Sequence, residues 1–169
     1  MSEVAAADIE AVGRQLGRPA RDVVAIAARC VCGAPTVVCT RPRLADGTPF
    51  PTFYYLTHPA ATAAASRLEA AGRMPAYQAL LVEDEGVGAA YRAAHEAYLA
   101  DREAHGEVPE IAGYSAGGMP ERVKCLHALV GHALAAGPGV NPIGDLALAE
   151  LAVMPGGWRP DVCECEPGA

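Results

Sequence analysis

The chain changes character at Thr57-His58-Pro59. Upstream of that point, short β-branched runs alternate with turn residues; downstream, every patterned stretch repeats at helical period. Residues 23–30 and 36–40 read as a hairpin around Cys32-Gly33-Ala34-Pro35, and residues 50–56 as a third strand entered through Asp46-Gly47-Thr48-Pro49. Pro49 and Pro51 place the start of that strand at an edge or a bulge. A helix over 4–16 precedes the hairpin, with Ile9, Val12 and Leu16 on one face, and ends at Gly17-Arg18-Pro19. Past Pro59 the periodicity predicts helices over 60–72, 75–83, 86–103, 120–136 and 142–153, with a loop at 106–118. The expectation is an α+β fold: a small antiparallel sheet from the N-terminal third, packed against a C-terminal, mostly helical layer. One domain should span residues 1–153, and 154–169 should form a flexible tail rich in Pro, Gly and acid.

Alanine-rich helices bury little area per residue, so the layer should pack closely. The formal net charge of −7 argues against a nucleic-acid or anionic-membrane binder. The early N-terminus lacks an apolar signal region. The uncharged stretch 125–144 is broken by Gly137-Pro138-Gly139 and Asn141-Pro142, which rules it out as a membrane span. A cytoplasmic protein is expected, of open oligomeric state. In that compartment, six cysteines point to metal binding or thiol chemistry before disulfides.

The stretch Val123-Lys124-Cys125-Leu126-His127-Ala128-Leu129-Val130-Gly131-His132 carries the densest chemistry. On one regular helix, Val123, Leu126, Val130 and Leu134 form a core stripe, while Cys125 and His127 stand about 160° apart. Cys125 and His132 share an edge but lie about 10 Å apart along the axis. A regular helix cannot complete a site from these residues, so partners must come from elsewhere. Cys30-x-Cys32 and Cys163-x-Cys165 lack the spacing of a zinc knuckle, and the second pair reads as incidental. Arg67 and Glu69 read as a solvated helix face. No P-loop, dinucleotide fingerprint, nucleophile elbow, HExxH or EF-hand occurs, nor Cys-x5-Arg.

Three segments together resemble a known family. They are Arg29-Cys30 with Gly33-x-Pro35-x-Val37; residues 47–59, Gly-Thr-Pro-Phe-Pro-Thr-x-Tyr-Tyr-Leu-Thr-His-Pro, with Ser66-Arg67-Leu68-Glu69; and Val123-Lys124-Cys125-Leu126-His127 with His132. Over roughly 20–150 the chain is similar to the largely actinobacterial domain-of-unknown-function family 501. The resemblance implies no activity, substrate or cofactor. It implies a Cys/His interchange at His58, natural for a zinc ligand, and leaves Cys32, Cys39, Cys163 and Cys165 outside the shared pattern. It also implies a gene association with cell division and envelope processes.

Strand end, strand exit and helix face can bring Cys30, His58 and Cys125 to one zinc ion, with a fourth ligand from His127 or His132. An iron–sulfur cluster prefers four thiolates and is disfavoured for that set unless Cys32 or Cys39 joins it; buried, metal-free cysteines are the competing reading. Gly117, Gly118, Arg122 and Lys124 form a candidate anion site at a helix entrance, suited to a small anionic ligand. The leading expectation is a binding or regulatory module with a Cys/His site between sheet and helix. The alternatives are a small hydrolase or transferase acting on a phosphate-type substrate through Cys125 or His127, and a partner-binding protein of the division or envelope machinery.

Overall fold

The computed structural model describes residues 1–165. Their elements run α1 (Ala6–Leu16), β1 (Val23–Arg29), β2 (Pro35–Thr40), β3 (Tyr54–Leu56), α2 (Pro59–Ala70), α3 (Met74–Glu83), α4 (Glu85–Glu103), a 3-10 turn at Pro109–Ile111, α5 (Leu126–Ala136) and α6 (Pro142–Leu151). The strands form one antiparallel sheet in the order β1-β2-β3, and Val38 of β2 stands between Ile26 and Tyr55. The fold is α+β, as the switch at His58-Pro59 implies.

All six residues of β2 are buried, because the middle strand is covered on both faces. On one face Val38 packs with Ile26 and Val12 of α1. On the other, Val37 and Cys39 join the main core with Leu126, Leu129 and Val130 of α5. Small residues set the helix spacing. A Cβ on Gly131 would lie 3.4 Å from the Tyr54 carbonyl, and one on Gly144 would lie 2.3 Å from the Leu129 carbonyl, so α5 is pressed against both β3 and α6.

Two boundaries differ from the sequence pattern. β3 is short because Pro49 and Pro51 have no N–H and the Phe53 N–H donates to the Tyr98 hydroxyl at 2.6 Å. The helix expected over 120–136 begins at Leu126. Before it, the Val123 N–H donates to Gln78 Oε1 at 2.9 Å and the Lys124 N–H to the Gly117 carbonyl at 2.8 Å. These long-range partners satisfy the backbone that a further helical turn would otherwise use.

Beyond α6 the chain turns back on the core. The Trp158 N–H donates to the Leu151 carbonyl at 3.0 Å, Arg67 donates to the Gly156 carbonyl at 2.5 Å, and Trp158 is 1% exposed. Among the described residues no helix is long and apolar enough to cross a membrane.

Candidate functional site

Among the described residues two groups of side chains could hold a metal ion, and they divide the residues expected to share one ion. Cys30 lies in the first, with His58 alongside; Cys125 lies in the second. His132 falls in neither group. It is fully buried, its ring stacked 5.5 Å from Tyr54 and edge-on 5.1 Å from Tyr98, and its Nδ1 accepts from the Asn141 amide at 3.1 Å. Burial pushes it down to about 4, so it is a neutral core residue.

The first group is built by a hairpin turn and the returning C-terminal segment. Arg29 grips Asp8 of α1 through two bonds of 2.7 and 2.9 Å and donates to the Gly33 carbonyl at 2.9 Å, which ties the turn to the helix beneath it. Within the turn the Cys30 N–H donates to the Ala34 carbonyl and the Gly33 N–H to the Cys30 carbonyl, both at 2.8 Å, with Gly33 at φ 93°. That left-handed glycine closes the turn that carries Cys30 and Cys32. Trp158, its ring 5.5 Å from that of His58, anchors the segment that carries Cys163 and Cys165 to meet them.

All four sulfurs then lie within 4.8 Å of one another, and Cys32 and Cys165 are 3.5 Å apart. A tetrathiolate zinc ion, with bonds of about 2.3 Å at tetrahedral angles, has sulfur–sulfur edges of roughly 3.8 Å. Burial pushes Cys30 and Cys165 up, whereas the Ala34 N–H holds Cys32 down to about 7. Four sulfurs this close could hold one metal ion. His58, fully buried at the start of α2, accepts the Ala61 N–H on Nδ1 at 3.4 Å. Its neutral ring therefore carries the proton on Nε2, which points at Cys165 Sγ from 3.3 Å. His58 stands as an N–H donor to a sulfur.

The second group lies at the start of α5. Cys125 is the N-cap, extended at φ −150° and ψ 108°, so the 160° separation required by a regular helix does not apply. Its Sγ comes to 4.0 Å from His127 Nδ1. Glu69, from α2, places Oε1 2.7 Å from the Leu126 N–H and 3.2 Å from His127 Nδ1. His127 Nε2 faces the Thr62 carbonyl and Ser66 Oγ, each at 3.1 Å. Cys125 and then Glu69 raise His127 to about 9, and His127 in turn lowers Cys125. Cys125 and His127 line a cleft of about 390 Å³ with Gln15, Thr52, Tyr55 and Thr57. A larger groove of about 480 Å³ near α1 is lined by no cysteine or histidine.

The loop expected to hold an anion is folded by its own backbone carbonyls. Gly117 and Gly118 have φ of 70° and 97°, and their carbonyls accept from Lys124, Cys125 and Arg122. A Cβ on Gly118 would lie 2.6 Å from the Arg122 carbonyl, which accounts for the glycine by close approach. The carboxylate at the helix N-terminus is Glu69.

Sequence reasoning set aside Cys32, Cys163, Cys165 and Glu69. The signal that could have found the first three is the repeated C-x-C spacing itself, on two segments able to supply two thiols each. Glu69 offered no comparable signal.

The family model described as "Protein of unknown function (DUF501)" matches residues 26–149. That span contains Cys30, Cys32, His58, Glu69, Cys125 and His127, and stops short of Cys163 and Cys165. No curated protein and no solved structure matches the chain.

Proposed function

The chain belongs to this family of unknown function, and we propose that it is a cytosolic zinc-binding module. Cys30, Cys32, Cys163 and Cys165 hold the ion, which fastens the C-terminal segment across the end of the sheet. His58 donates its Nε2–H to the Cys165 thiolate, the usual way an outer partner orients and tunes a ligand. The observation that carries the reading is the convergence of four thiols within 4.8 Å from segments far apart in sequence. Four protein thiolates fill a tetrahedral zinc, leaving no position for substrate, so this ion is structural. An iron–sulfur cluster would interpose several atoms and hold the sulfurs further apart; this spacing suits a single ion.

Elemental analysis of untagged protein tests the reading. Zinc should stay bound through gel filtration, and Cys163→Ser/Cys165→Ser should carry one ion fewer per chain. Equal zinc in both proteins, or none in either, would remove it.

A further inference from the structure

We propose that Cys125 Sγ, His127 Nδ1 and a carboxylate oxygen of Glu69 form a second divalent-cation site, open on its fourth side to the neighbouring cleft. It shares no residue with the tetrathiolate group and does not depend on it.

The hydrogen-bond geometry of His127 carries the argument. The Thr62 carbonyl can only accept, and the Ser66 hydroxyl gives its own proton to that carbonyl at 3.0 Å. Both therefore require the His127 proton to sit on Nε2. Once the second proton that Cys125 and Glu69 favour on the ring gives way to an ion, Nδ1 presents a lone pair. Facing it, 3.2 Å away, is an oxygen of the Glu69 carboxylate, and 4.0 Å away is the Cys125 sulfur. Three electron-pair donors thus point at one small space, all within 4.8 Å of one another. A proton on Nδ1 bridges well to the oxygen alone, because 4.0 Å is long even for sulfur. A divalent cation satisfies all three together. Ideal zinc ligation puts nitrogen and oxygen about 3.4 Å apart and nitrogen and sulfur about 3.6 Å apart, from bonds of 2.0–2.3 Å. The two separations from Nδ1 need shifts of a few tenths of an ångström.

The surroundings are those of a metal-binding histidine. Its other nitrogen donates to a backbone carbonyl, and the Leu126 N–H holds the carboxylate in place. A thiolate and a carboxylate around a divalent ion also leave the site neutral. Three protein ligands plus one free position is the open arrangement, in contrast to the closed tetrathiolate.

Cys125 and His127 line the cleft and Glu69 does not, so the free position faces outward into it. That wall also carries Thr52, Tyr55 and Thr57 and no charged side chain. Gln15 lines it too, and its buried Oε1 has no partner among the described residues. The ligand class that fits the free position is a small neutral oxygen donor.

Titration of Cys163→Ser/Cys165→Ser with Co²⁺ isolates this site from the first. We expect one Co²⁺ per chain with a sulfur-to-cobalt charge-transfer band. Adding Cys125→Ser should abolish the band, and His127→Gln or Glu69→Gln should weaken binding by more than about tenfold. In the unmutated protein, Zn²⁺ should protect Cys125 from iodoacetamide, and a chelator should restore its alkylation. A band that survives Cys125→Ser, no band in the parent double variant, or alkylation of Cys125 indifferent to Zn²⁺ would overturn the site. The last outcome would leave an imidazolium–thiolate pair.

Discussion

Chelation of the tetrathiolate ion should lower the melting temperature of the protein by about 8–16 °C. An ion present at a thousandfold excess over its dissociation constant stabilises the folded state by about 4.1 kcal/mol, and each kcal/mol shifts the midpoint by about 2–4 °C in a chain of this size. Bound there, an ion would join the 30–33 turn to the segment carrying Cys163 and Cys165, whose sulfurs lie within 4.8 Å of those of Cys30 and Cys32. Differential scanning calorimetry, with and without a zinc chelator under reducing conditions, measures the shift. Restoration by one equivalent of Zn²⁺ is part of the expected result. An unchanged midpoint after complete zinc removal would mean that the four thiols do not staple these segments.

Trp158→Ala should cost about 3–5 kcal/mol, the range for truncating a large buried aromatic. Trp158 belongs to the main core cluster at 1% exposure, and its backbone N–H closes the turn after α6 onto Leu151. Removing the ring empties the space beside His58, whose Nε2 faces Cys165. Zinc affinity should fall with stability, because the segment delivering two thiols loses its anchor. Trp158→Phe should cost markedly less. It keeps much of the apolar volume and removes an indole N–H that has no acceptor among the described residues, a burden of about 1–3 kcal/mol. Urea unfolding of both variants reads the difference. A Trp158→Ala cost below about 0.5 kcal/mol, typical of a surface position, would show that the segment is not packed on the core.

The legible parts of the sequence were those governed by local period. The hairpin of β1 and β2 and the run of helices after Pro59 lie close to where β-branched runs and apolar spacing place them. Legibility failed where a distant side chain took over a backbone bond. Tyr98 captures the Phe53 amide and shortens β3, while Gln78 captures the Val123 amide and delays α5 to Leu126. That delay reshapes the second site. Cys125 and His127 are incompatible on one helix and neighbours once Cys125 is the extended N-cap. The first site was hidden for another reason. Cys32 and Cys165 stand 133 positions apart, and the return after α6, held by Trp158 and Arg67, brings them together. Each C-x-C pair is a weak signal alone; its meaning lies in the tertiary return of the other. Glu69 looked like a solvated charge because nothing local marks a carboxylate that will cap another helix.

Zinc-edge X-ray absorption on the Cys125→Ser protein loaded with one equivalent of Zn²⁺ reads the ligand set. That variant removes the second site and leaves the first as the place for the ion. A single shell of four sulfurs at about 2.3 Å is expected, with His58 outside it as a donor to Cys165. A shell in which nitrogen at about 2.0–2.1 Å replaces one or more of the sulfurs would contradict it.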